Sequence, residues 1–170
     1  MPSIPSEKLD PRIKNIWRIN DLIASLVSIN LFLLITAGVL RLAASEGAVG
    51  FLNQIADALI PADVALSVAA VVLFAFVIPP VRYARWRYQI SDDFLEIMTG
   101  IVWKKRTVIP FIRVQNTDTK QGPLMRLFGL SSVTVSTAAG EHEIPGLDVR
   151  VADELRNRAA ELARVAREDV

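Results

Sequence analysis

The chain reads as an α+β membrane protein: an N-terminal two-helix transmembrane hairpin, then a small domain of strands closed by one helix. Three observations lead there. Residues 22–40 and 64–81 are uncharged and mostly apolar, and each run is long enough to cross bilayer hydrocarbon, the second forming a helix of about 27 Å. Directly after the second run the chemistry changes to Arg82-Tyr83-Ala84-Arg85-Trp86-Arg87-Tyr88. Arginines and aromatics in that position mark where a membrane helix surfaces through the headgroups. Beyond it the apolar period falls to two, and becomes helical again only after Asp148.

Composition agrees. The chain has 170 residues, 52 % of them hydrophobic, with a mean hydropathy of +0.36. That is too apolar for an ordinary soluble domain and too short for a large transporter. Zero cysteines exclude disulfides, thiolate catalysis and Cys-based metal sites. A single histidine leaves little room for a His-rich metal site or a Ser-His relay.

Residues 1–21 form the N-terminal lead-in. Pro2, Pro5 and Pro11 argue against order before Arg12, and Ile13, Ile16, Trp17 and Ile19 alternate with Lys14 and Arg18. That pattern suits a short interfacial segment with Trp17 at headgroup depth; the alternative is a disordered tail. The hairpin occupies 22–81. A cleaved signal peptide fits its first run poorly, since a signal h-region is usually ~7–15 residues. Ala24, Ser28 and Asn30 in the first run, with Ala65 and Ala69 in the second, are small or polar and offer helix–helix contacts. Neither run holds an ionisable residue, so neither marks a transport path. Between the runs, Phe51, Leu52, Ile55 and Leu59 recur at helical spacing, which predicts an interfacial helix over 47–60, or else an apolar loop.

Lys8, Arg12, Lys14 and Arg18 precede the first run, and Arg82, Arg85 and Arg87 follow the second, while the intervening loop has only Arg41. The positive-inside bias predicts a two-pass protein with both termini in the cytoplasm.

Residues 82–170 form the soluble domain. Trp86, Tyr88 and Ile90 share one face of a first strand; Ser91-Asp92-Asp93 turns into a second over 94–98. Gly100 opens the next turn, residues 103–110 read as a third strand and 112–120 as a fourth. Gln121-Gly122-Pro123 breaks the pattern before a turn of helix at 124–129. A fifth strand over 131–137 alternates Val133 and Val135 against Ser132, Thr134 and Ser136, and Ala139-Gly140 turns it into a sixth at 141–144. Asp148 is a fair N-cap for a final helix with the apolar stripe Val151, Leu155, Leu162 and Ala166, and with Arg164 and Arg167 near its C-terminus.

Strands in hairpins followed by one helix look like a pleckstrin-homology-type split β-barrel capped by its C-terminal helix. Particular motifs narrow the resemblance: Arg87-Tyr88, Ile109-Pro110, Arg113-Val114-Gln115, Gln121-Gly122-Pro123-Leu124, Arg126-Leu127-Phe128-Gly129-Leu130 and Ile144-Pro145-Gly146-Leu147. In this order they resemble the bacterial PH-like domain of YdbS-like membrane proteins, over roughly 83–163. The resemblance implies the fold, a bacterial inner-membrane location, and a membrane partner carrying copies of the same domain. It also marks Tyr88, Pro110, Gln115, Gly122, Gly129 and Gly146 as family positions, read here as strand-end and turn chemistry. Gln115 either hydrogen-bonds a ligand or satisfies neighbouring backbone, the second being preferred.

No catalytic constellation is visible, and His142 reads as a solvent-facing strand residue. No phosphate-cradling loop or metal-ligand spacing appears, so no cofactor is expected. With 14 Lys/Arg against 12 Asp/Glu from Arg82 onward and no basic face, nucleic acid is not an expected partner. The leading reading is a non-enzymatic, membrane-anchored interaction module, a scaffold or regulatory subunit of an inner-membrane complex. Its expected partners are membrane lipids and another PH-like membrane protein or a second copy of itself. One alternative is an anionic-lipid sensor using Lys104, Lys105 and Arg106, with Arg82, Arg85 and Arg87 as further lipid contacts; the other is an oligomeric channel or a transporter accessory subunit. The first hairpin turn, Ser91-Asp92-Asp93, would repel an inositol phosphate.

Overall fold

The computed structural model describes residues 5–45, 61–62 and 64–168. The interfacial helix expected over 47–60 lies outside them. Two compact units emerge, one of residues 17–79 and one that joins 1–16 to 80–170.

The first unit is built on two long helices. Helix α1 is Ile13–Ser45, about 50 Å at helical rise, and α2 is Val64–Arg85. The lead-in before residue 22 is therefore no separate interfacial segment where it is helical. It forms the first turns of α1, because nothing between Ile13 and Leu22 breaks a helix. Large apolar side chains on both helices face outward, among them Leu26, Val27, Leu34, Leu66 and Phe76. A protein in water seldom leaves such continuous apolar surface uncovered, and both helices are long and apolar enough to cross a membrane.

Polar groups in α1 are satisfied locally. Ser28 Oγ donates to the Ala24 carbonyl, Asn30 Nδ2 to that of Leu26 and Thr36 Oγ1 to that of Phe32. Asn30 thus serves its own helix. Ala24 and Ser28 line a cleft with Ala70 and Phe74, whereas Ala65 and Ala69 are exposed, so the small-residue contact on α2 lies one position further on.

Pro79 and Pro80 do not end α2. Five residues of π-helix, Leu73–Val77, precede them, and α-helix resumes over Ile78–Arg85. A proline ring clashes with the carbonyl four residues back and offers no N–H to it. The wider turn relieves this: the Ile78 N–H reaches the Leu73 carbonyl, five residues back.

The second unit is two three-stranded antiparallel sheets. Strands β1 (Arg87–Ile90), β2 (Phe94–Thr99) and β3 (Lys105–Pro110) form one in the order β1-β2-β3. A 3-10 turn, Phe111–Arg113, leads to β4 (Val114–Lys120); a short helix α3 (Pro123–Leu127), β5 (Leu130–Thr137) and β6 (Gly140–Asp148) follow. These strands form the second sheet in the order β4-β5-β6, and α4, Val149–Glu168, closes the barrel. The third strand begins at Lys105 rather than at 103, and the sixth extends through Gly146 to Asp148, beyond the four residues its alternation predicts.

Leu95, Ile97, Ile109, Phe111, Val133, Val135 and Ile144 fill the core. From α4 come Ala152, Leu155, Ala159 and Ala163, a stripe rotated by one position from that expected. Val151 is 43 % exposed, because alanines let the helix approach the sheet closely and so set its rotation. On the polar side of β5, Ser132 and Thr134 are buried as well, and Ser132 Oγ meets Met125 Sδ of α3.

Candidate functional site

Residues 5–12 have almost no regular structure, yet they are ordered by tertiary contact, contrary to what their prolines imply. Pro5, Leu9 and Ile13 are buried. Glu7 forms a two-way backbone bridge with Tyr88 at the free edge of β1 (3.0 and 3.1 Å), and Tyr83 Oη donates to the Leu9 carbonyl at 3.1 Å. Arg12 fastens the segment. Its guanidinium donates to Asp10, to Asp148 Oδ2 and to the Phe128 carbonyl at 2.9, 2.9 and 3.0 Å. Asp148 meanwhile caps α4, accepting from the Arg150 N–H at 3.1 Å. Hydrogen bonding from Arg12 is the largest cause holding both Asp10 and Asp148 carboxyls below the usual carboxylate range. The Tyr88 phenol is pushed up to about 12, by burial first and by the Glu7 carboxylate second.

Several family positions meet this clasp. Gly146 sits in a bulge of β6, at φ +63°, and its carbonyl accepts the Asp10 N–H. Gly129, at φ +64°, closes α3 beside the Arg12 guanidinium. Gly122 caps α3 at an ordinary φ of −76°. Sequence reasoning missed the clasp; the signal available was Leu9 and Ile13 bracketing an Asp-Pro-Arg turn.

Pro110 and Gln115 lie elsewhere, in the wall of an open groove of about 760 Å³. The groove runs between β3 and the start of β4, past the β5–β6 turn to the end of α4. Both β3 and β4 are sheet edges there. Val108 and Ile112 are half-exposed on its apolar wall, and Arg113, Gln115, His142 and Arg167 supply polar groups without any carboxylate. The Gln115 side chain makes no hydrogen bond among the described residues, so it is not spent on neighbouring backbone. His142, half-buried, lines the same open groove. Among the described residues no cluster of His, Asp and Glu could hold a metal ion.

The basic residues divide. Arg106 is ion-paired to the buried Glu96, so its charge is largely committed within the sheet. Lys104 in the β2–β3 turn and Lys105 at the start of β3 are exposed. Arg82 and Arg85 are exposed on the last turn of α2, and half-buried Arg87 donates to the Trp86 carbonyl at 2.6 Å.

Two antiparallel sheets capped by a helix, in a chain with two apolar helices long enough to span, define a split-barrel protein of membrane-anchored type. The chain belongs to the family described as Bacterial PH domain, whose match covers residues 23–163. It is 33 % identical to the transmembrane protein YdbS of Bacillus subtilis (strain 168), over 174 aligned residues that cover 98 % of each chain. No solved structure matches the chain significantly.

Proposed function

We propose that this protein is a non-enzymatic interaction module of a bacterial inner membrane, a scaffold or regulatory subunit that docks an extended segment of a second membrane protein into the β3–β4 groove. The groove carries the reading. Two sheet edges flank it, and an added strand would complete the hydrogen bonds those edges leave open. Its wall is apolar at Val108 and Ile112, while Arg113 and Arg167 favour an acidic or C-terminal segment. Seven basic residues flank the two apolar runs on the side of the termini, against Arg41 alone between the runs, which supports cytoplasmic termini and hence a cytoplasmic groove. The partner of choice is another protein with PH-like domains, or a second copy of this chain.

Purification of the native chain in mild detergent, followed by mass spectrometry, tests this. A co-purifying membrane protein is expected, and it should be lost from the Val108→Glu, Ile112→Glu double variant while that variant keeps its melting temperature. A wild-type chain recovered only as a monomer would defeat the reading.

A further inference from the structure

We propose that the β2–β3 turn is a lipid wedge, which inserts Val102 and Trp103 into an anionic leaflet while Lys104 and Lys105 contact its phosphates. The turn is shaped for presentation. Gly100 stands at φ +110°, and a Cβ there would lie 1.8 Å from the Trp103 carbonyl oxygen, so only glycine lets the chain fold back this tightly. The fold-back leaves Val102 81 % and Trp103 86 % exposed, while Trp86 of the same domain is 7 % exposed. Lys104 and Lys105 follow at once and form no ion pair among the described residues, unlike Arg106 with its Glu96. An apolar tip backed by lysines is the chemistry of a segment that lies in the headgroup region.

Position selects lipid over other occupants. In the antiparallel register Arg87 faces Met98 and Thr99 faces Lys105. The β2–β3 turn is thus at the end of the sheet where α2 runs into β1, and the acidic Ser91-Asp92-Asp93 turn is at the other. Arg82 and Trp86, at the exit of α2, line one cleft of about 350 Å³ with Gly100 and Ile101. The tip is therefore continuous with the residues that follow the second span, and its charge complements anionic phospholipid. The groove between β3 and β4 plays no part.

The cysteine-free chain permits a direct test. Full-length protein carrying Val102→Cys, labelled with an environment-sensitive fluorophore, is reconstituted into vesicles of phosphatidylcholine with or without phosphatidylglycerol. Spin-labelled lipid is the quencher, and Asp92→Cys is the reference position. Quenching is expected at 102 and not at 92, and it should be stronger with phosphatidylglycerol. Lys104→Ala with Lys105→Ala should shift the inserted-to-free ratio by roughly 25-fold, since each basic residue near anionic lipid contributes a factor of about five. Quenching at 102 no greater than at 92 would overturn the wedge, as would a blue shift at 102 without lipid quenching, which would mean that protein covers the tip. Equal quenching with and without phosphatidylglycerol would overturn the role of the lysines.

Discussion

At residue 146 two constraints coincide. The backbone adopts φ +63°, and a Cβ would stand 2.4 Å from Cγ1 of Ile13, where only glycine fits both ways. Gly146→Ala should cost roughly 2–4 kcal/mol, combining left-handed strain with overpacking. Gly122→Ala, at φ −76° with open space around it, should stay within about 0.5 kcal/mol. Thermal unfolding of the two variants in detergent checks the contrast, and equal effects would remove the clasp from the core. Arg12 makes a pH prediction. Asp10 and Asp148 have folded-state pKa values below the unfolded ones, so the folded state binds fewer protons. Their stabilisation is complete above the unfolded value of about 4 and is lost as pH falls through the folded values. Arg12→Ala should therefore flatten the acid limb of the stability curve and lower its plateau, a change measurable by unfolding at stepped pH.

At the scale of elements, the rotation of α4 is the sharpest test. Leu155 is buried and Val151 43 % exposed, although both belong to the apolar stripe read from hydropathy. Leu155→Ala should cost ~2–5 kcal/mol, whereas Val151→Ala should change stability by no more than about 0.5 kcal/mol. Comparable losses would mean that the helix is rotated back toward the stripe of larger side chains. Helix α2 shows the complementary case. Its prolines announce a break, yet the helix absorbs them by widening one turn, because a membrane segment must keep its backbone groups paired internally. The N-terminal strip 5–12 is the reverse again: a proline-rich stretch with no periodicity, held in place by Leu9 burial and the Arg12 contacts.

For the whole molecule, orientation is the prediction to settle first. Ser45→Cys should label from outside intact cells, and Ala139→Cys only after permeabilisation, if the basic flanks stay in the cytoplasm. The opposite pattern would place the groove outside and remove the proposed cytoplasmic partner. Two-helix anchoring is more than tethering requires. Ala24, Ser28, Ala70 and Phe74 line a cleft within the helical unit, and outward-facing Ala65 and Ala69 remain available for a neighbour in the bilayer.

What the sequence determined by itself was whatever local periodicity encodes. Two apolar runs specified the spans, alternation with glycine turns specified six strands, and Asp148 specified where α4 begins. The family motifs then named the split barrel. Tertiary structure alone decided which residues meet across long separations: that 5–16 complete the barrel, that Glu96 claims Arg106, and that Gln115, His142 and Arg167 share one groove. It also decided what the β2–β3 turn exposes, since the Lys104-Lys105-Arg106 run is the same whether or not Trp103 is buried. The reason is physical. Periodicity reports which side of an element avoids water, while the partner on that side, and the close approach that alanine or glycine permits, depend on surfaces more than a hundred residues apart in the chain, as Arg12 and Asp148 are.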